Sequence, residues 1–356
     1  MHRRLLAALA ASSLALLTLN PARADEYRVT GPVVHENLAI YLIHGKSAAG
    51  PVPLTLEEAL AKRAVKVHET GNVNELQIEN LGDDEVFVQS GDIVKGGQQD
   101  RVLTVSLLLP PKSGSIPIAS FCVEQGRWTA RGKEDVKTFA TASAVVPSRE
   151  AKIAMKAPVA AFADPAATGA VGAVRTTAIT VTSETGTRQQ EVWRRVRSVQ
   201  DKLSTSLGAP VNAAVSQSSL QLALENEKLK DAQAAYIKTL QRAGEREDDI
   251  VGYVFALNGK LNSAEIYPSN GLFRKMWPKL LQASVTEAIG HNNADRDPAP
   301  AGETALAFLT EAANGKASEK PLPAEVRLEV RDADKAFYFE TRRASGAWVH
   351  RSYLAK

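Results

Sequence analysis

The sequence predicts an α+β fold: a sheet-rich N-terminal half of mostly antiparallel strands, central amphipathic helices, a second smaller α/β portion and C-terminal strands. Three observations carry this. Short β-type runs such as "ELQIEN" and "DEVFVQ" crowd residues 64–124, punctuated by Gly, Asn and Asp. Between 189 and 240 the apolar residues recur instead at steps of three and four. Asn258-Gly259 then joins two apolar runs, the strongest short hairpin signal.

The first 24 residues predict export. "MHRR" is a basic head, Leu5 to Leu19 is apolar apart from Ser and Thr, and Ala22-Arg23-Ala24 fits a small-x-small cleavage site. The expected product starts at Asp25 and is periplasmic or secreted. No cysteine follows the cleavage site to take a lipid, and no later run is apolar enough to cross a bilayer. Arg3, Arg4 and Arg23 are the only charged residues removed, so cleavage cancels the formal charge of +3. A neutral chain carries no electrostatic demand for nucleic acid or an anionic membrane. The single cysteine, Cys122, excludes an intrachain disulfide, and the chain is long enough to bury a large core without one.

From the N-terminus onward, Gly31 to Ile43 reads as a strand with Leu38, Ile40 and Leu42 alternating. "TLEEALAKRA" is a short helix in which Thr55 and Glu58 have capping-box spacing. The runs "AVKVHE", "ELQIEN", "DEVFVQ", "RVLTVSLLLP" and "SIPIASFCVE" follow as strands. Arg101 to Leu109 is apolar on both alternating faces, as in one strand buried on both sides. Residues 141–186, rich in Ala, Thr, Pro and Gly, read as irregular. Helices occupy 187–243: Val192, Val196, Val199 and Leu203 make one stripe, and Leu229, Ala232, Tyr236 and Leu240 another. Their basic opposite faces read as solvated. After the hairpin, Ser269 caps a helix that Pro278 should kink. A linker, a helix near Thr304–Ala312 and strands at Glu325–Val330, Ala336–Thr341 and Trp348–Leu354 complete 291–356. "EVFVQSGDIV" and "YVFALNGKLN" share a faint echo that would fit a duplication.

Standard catalytic motifs are missing. Gly45-Lys46-Ser47 lacks the P-loop glycine, since position 40 is Ile. Ser47 has Ala49 where a nucleophile elbow needs Gly. The histidines are scattered, without the spacing of a zinc site. The sequence therefore predicts no metal and no cofactor.

Two polar clusters remain. In "GDIVKGGQQDR", Gly96 and Gly97 permit close backbone approach to a ligand, Gln98 and Gln99 offer amides, and Arg101 presents a planar fork for an anion. The structural alternative is a hairpin at Ser90-Gly91-Asp92 followed by a glycine bulge. In "FCVEQGRW", Cys122 and Glu124 project from one strand face. A carboxylate raises a neighbouring thiol's pKa, so Cys122 reads as a buried apolar residue. Glu124 and Arg127 read either as a buried pair or, with Trp128, as a ligand platform.

"GDIVKGGQQDR", "IPIASFCVEQGRW" and "VGYVFALNGKLNSAEIYPSNGLFRKMWPKLL", in this order, resemble the bacterial domain family named for association with ADP-ribosylglycohydrolase (ARG) and rhodanese–phosphatase-superfamily proteins. The resemblance spans roughly Pro32 to Ile289. It implies a shared site near Gly91, Asp92, Gly96, Gly97, Gln99 and Arg101 and near Cys122, Glu124, Gly126, Arg127 and Trp128. The family's name records gene neighbourhood and implies no particular reaction.

The resulting expectation is a ligand-binding or accessory domain for a small polar or anionic ligand, with Gly96, Gly97, Gln98, Gln99, Arg101, Arg127 and Trp128 at the site. A hydrolase acting on a nucleotide- or sugar-like substrate through Asp92, Asp100 or Glu124 is the alternative. An envelope scaffold that binds another protein is the third.

Overall fold

The computed structural model describes residues 27–158, 177–292 and 295–356, with side chains of the long central helix described from 184 onward. The expected signal peptide lies outside the described residues, as does 159–176 of the stretch read as irregular.

Along the chain, β1 (Arg28–His35) and β2 (Leu38–His44) make a hairpin, and β3 (Leu54–Thr55) runs into α1 (Leu56–Ala61). Then come β4 (Val65–Glu69), β5 (Glu75–Asn80), β6 (Val86–Val88), β7 (Asp92–Gly96), β8 (Arg101–Leu103), β9 (Leu107–Leu109), β10 (Gly114–Cys122) and β11 (Phe139–Val145). The helices α2 (Arg149–Lys156), α3 (Thr177–Leu207), α4 (Leu220–Leu224) and α5 (Glu227–Leu240) follow. The hairpin β12 (Ile250–Leu257) and β13 (Lys260–Ile266) leads to α6 (Asn270–Gly290) and α7 (Gly302–Ala313). The chain ends in β14 (Lys316–Leu322), β15 (Val326–Asp332), β16 (Ala336–Arg343) and β17 (Trp348–Ala355).

The strands form three sheets. The largest has the order β1-β2-β12-β13-β17-β16-β15-β14 and is antiparallel throughout. The C-terminal strands therefore extend the sheet that β1 and β2 begin. A six-stranded sheet has the order β11-β7-β8-β10-β5-β4, and a three-stranded one β3-β6-β9. In β2, Leu38, Ile40 and Leu42 join a core with α3, α5 and α6. Ala39, Tyr41 and Ile43 join the opposite core, under α7. The two smaller sheets close a third core around α1. Helix α6 is buried on nearly every side, starts at the Ser269 cap and runs through Pro278 to Gly290; a helix apolar all round belongs inside a large core.

The local expectations hold at the Thr55–Glu58 capping box, where both reciprocal bonds form, and at the Asn258-Gly259 turn. Elsewhere the fold differs. Residues 101–109 are two strands in two sheets, β8 beside β7 and β10, β9 beside β6. Thr104 and Ser106 make the break: Thr104 Oγ1 donates to Ala119 O, and Ser106 Oγ accepts the Ser90 N–H. Ser90-Gly91-Asp92 turns the chain from one sheet into another, so the two strands it joins do not pair. The hairpin of this stretch lies one strand later, between β7 and β8. "EVFVQSGDIV" thus changes sheets where "YVFALNGKLN" folds on itself. Residues 139–145 and 149–156, read as irregular from 141, form β11 on β7 and the Ser148-capped α2. Glu36-Asn37 splits the first strand by a turn that contains no glycine. The edge strand β14 escaped notice because "KASEKPL" is polar and exposed, as suits an edge protected from further pairing.

Candidate functional site

The β7–β8 loop and the end of β10 do come together. Asp100 accepts the Gly96 N–H on Oδ1 at 3.0 Å and donates its own N–H to Glu124 Oε2 at 2.9 Å. Arg127 bonds Glu124 Oε1 at 2.7 Å and the carbonyls of Gly97 at 3.0 Å and Gly96 at 3.1 Å. Arg131 reaches both Asp100 oxygens, and Glu124 Oε1 at 3.2 Å. Ser219 donates to Asp100 at 2.7 Å and Ser216 to Glu124 at 2.5 Å. Asp100 and Glu124 are both 0% exposed. Burial alone would raise the Glu124 carboxyl, but bonds from Arg127 and Ser216 outweigh it and hold it below the usual range. A general acid requires the opposite shift.

The two glycines adopt left-handed backbone that favours glycine. Gly96 and Gly97 have φ of +121° and +57°. A Cβ on Gly97 would lie 2.5 Å from Phe139 Cζ and 2.7 Å from Glu69 Oε1.

The other predicted residues are divided among different surroundings. Arg101, 1% exposed, faces away from this network. It pairs with Glu69 at 3.2 Å, donates to Val73 O at 3.1 Å and contacts Cys122 Sγ. Burial pushes the Cys122 thiol up to about 11, against the pull of Arg101. Gln98 bonds Glu69 through its N–H, and Gln99 is buried with neither amide atom partnered in the protein. Trp128 stands outside, 53% exposed. Asp92, at the other end of β7, pairs with the buried Lys279 at 2.6 Å. Arg131, Ser216 and Ser219 were missed because no local pattern links them to Asp100.

A second polar region was not visible in the sequence. The start of α2, the β12–β13 hairpin and the end of α6 enclose a cavity of about 390 Å³. Its walls include Arg149, Glu150, Asn258, Asn262 and His291, with the exposed Lys260 at the rim. Glu287 lines an adjoining chamber of about 30 Å³. Its Oε1 accepts the Arg149 N–H at 3.0 Å and Asn262 Nδ2 at 3.2 Å. Three buried acceptors here, Asn258 Oδ1, Asn262 Oδ1 and Glu287 Oε2, have no protein partner. Burial and the Glu150 charge raise the Glu287 carboxyl. Glu150 moves the other way: burial raises it, but Arg149, its own N–H and Ser148 outweigh this and take it to about 2. Lys202 Nζ lies 2.8 Å from His291 Nε2. An ammonium only donates, so Nε2 accepts and Nδ1 holds the proton that faces Glu287 O at 2.9 Å.

Among the described residues, His44, Glu247 and Asp249 also bring three possible metal-ligating atoms within 4.8 Å of one another. Arg28 Nη2 already sits 3.3 Å from Asp249 and 3.9 Å from Glu247.

Residues 26–354 match the family described as the ARG and Rhodanese-Phosphatase-superfamily-associated Protein domain. The chain belongs to this family, and the match takes in the C-terminal strands. No curated protein and no solved structure matches the chain. No helix among the described residues is long and apolar enough to cross a membrane.

Proposed function

We propose that this chain is an exported accessory domain that binds a small, hydroxyl-rich ligand in the cavity between α2, the β12–β13 hairpin and α6. The carrying observation is a pair of unpartnered acceptors on residues that line it, Asn258 Oδ1 and Asn262 Oδ1, with Glu287 Oε2 in the adjoining chamber. Buried polar atoms are nearly always bonded, and leaving one unpaired costs about 1–3 kcal/mol. A ligand rich in O–H or N–H donors would suit the two asparagine oxygens. The volume, about 390 Å³, suits a small molecule, whose sites span about 300–1,000 Å³. The basic head, apolar run and Ala22-Arg23-Ala24 support export. The family's association with ARG and rhodanese–phosphatase proteins supports an accessory role.

In this reading the GGQQDR–EQGRW junction braces the fold. Arg101, Arg127 and Arg131 direct most of their donors to internal carboxylates, carbonyls and Cys122, and leave Arg101 Nε and Arg131 Nε without a protein partner. The junction also fixes α4, because Ser219 both caps that helix and bonds Asp100.

A second reading rests on Glu150 and Glu287. Two neighbouring carboxyls with pKa values pushed apart suit paired acid and base roles. Glu287 would then supply the proton and Glu150 the charge, on a substrate group that reaches the adjoining chamber, which both residues line.

Titration calorimetry of residues 25–356 against monosaccharides, disaccharides and polyols tests the proposal. A binder should appear, and Asn262→Leu should abolish its heat while the fold is kept. An unchanged heat in Asn262→Leu would remove the cavity from the account.

A further inference from the structure

A separate polar centre lies where the large sheet meets the three-stranded one. Ser106 comes from the link between β8 and β9, His350 from β17 and Glu265 from β13. All three are buried. Ser106 Oγ lies 3.0 Å from His350 Nδ1, and His350 Nε2 lies 3.1 Å from Glu265 Oε2. His350 Nε2 and Glu265 Oε2 meet at ion-pair distance without hydrogen-bond alignment; with the proton on Nε2, the Nδ1 lone pair faces the serine hydroxyl. Hydroxyl, imidazole and carboxylate in this order make a nucleophile, its base and the group that orients the base; such a set is known by geometry, whatever the chain order. The Ser90 N–H holds Ser106 Oγ at 2.9 Å. Lys152 Nζ, 3.8 Å from Glu265 Oε1, supports the charged carboxylate.

The serine and imidazole open on a cavity of about 20 Å³. Thr341 Oγ1, from its wall, is buried without a protein partner. Lys156, half-buried on the same wall, places Nζ 3.1 Å from Ser352 Oγ. These are donors beside the hydroxyl that Asp, Glu or apolar packing would not supply. A single water needs roughly 10–15 Å³ by the same kind of measure, so the space fits an acyl group of acetyl size and nothing much longer.

We propose that Ser106, His350 and Glu265 form an acyl-transfer centre that takes a short acyl group from an ester or thioester. Ser106 Oγ attacks the carbonyl carbon and its proton passes to His350 Nδ1. The bond to the leaving oxygen or sulfur breaks, and His350 returns the proton to that atom. Water then attacks the acyl-serine, passes a proton to His350 and releases the carboxylic acid. The proton returns to Ser106. Thr341 and Lys156 supply donors for the charge that develops on the carbonyl oxygen.

The test uses the purified chain and p-nitrophenyl acetate, with peptide mass spectrometry to map the adduct. The expected result is one acetyl group on Ser106, absent in S106A, and a steep fall in rate from acetyl to hexanoyl esters. H350Q should slow acylation by about 10²-fold or more, the usual size of a general-base contribution. S106C keeps an acceptor for the Ser90 N–H; its thiol should alkylate with iodoacetamide far faster than Cys122. Wild-type protein that shows neither an acetyl group on Ser106 nor p-nitrophenol release above that of S106A overturns the proposal, whatever the other variants do. Equal acylation of Ser106 in H350Q overturns the role of the imidazole.

Discussion

Arg131 forks onto Asp100: Nη2 lies 2.9 Å from Oδ1 and Nη1 3.0 Å from Oδ2. The carboxylate is wholly buried and the guanidinium nearly so. This pair ties the segment after β10 to the tip of the β7–β8 hairpin.

Removing only the cation should therefore be costly. Arg131→Met leaves the buried Asp100 charge short of its main partner, a change worth about 3–5 kcal/mol for a buried pair. Urea denaturation should show a lower midpoint at unchanged slope. Asp100→Asn combined with Arg131→Met should recover part of the loss, because no buried charge is then orphaned.

Gly97→Ala should also destabilise, through the fold alone. The residue has φ of +57°, and its new methyl would sit 2.5 Å from Phe139 Cζ. Phe139→Leu should relieve part of the clash, and a double-mutant cycle would read the coupling. Additive effects would mean that the glycine serves something other than packing against Phe139.

The two carboxyls of the α2–α6 region predict opposite pH behaviour. Glu287 is raised in the folded state, so its contribution to stability is full below the ordinary carboxylate pKa and is lost as pH rises through the folded value. Glu287→Gln should thus gain stability over wild type near neutral pH and lose that advantage in acid. Glu150, lowered to about 2, contributes above the ordinary value of 4.5 and loses this as pH falls from 4.5 toward 2. Glu150→Gln should be less stable than wild type near neutral pH and converge with it in acid. Melting temperatures of the three proteins across this range give the signs directly.

What the sequence made legible was local. The Thr55–Glu58 capping box, the Asn258-Gly259 turn, the Ser269 cap and the last three strands each lie within a few residues. The polar network was half legible. "GGQQDR" and "EQGRW" stood out as unusual, and they do meet at Asp100, Glu124 and Arg127. A buried Glu124–Arg127 pair was one of the two readings; the partners that close it were not visible, because Arg131 and Ser219 lie 31 and 119 positions away from Asp100. Trp128, expected as a stacking platform, carries no signal in the sequence that separates an exposed ring from a ligand-facing one. The cavity escaped for the same reason. Arg149, Asn262 and Glu287 lie in three elements that only the packing of α6 brings together.

The most direct test of the account is a crossed thermal-shift measurement on wild type, Asn262→Leu and Arg127→Ala, with the hydroxyl-rich ligand that gives the largest shift in wild type. A ligand at a hundred times its Kd stabilises by about 2.7 kcal/mol. The account predicts that Asn262→Leu loses the ligand shift, while Arg127→Ala melts lower and keeps it. The reverse pattern, with the shift lost in Arg127→Ala at an unchanged melting temperature and retained in Asn262→Leu, would make "GDIVKGGQQDR" the binding loop and contradict the account.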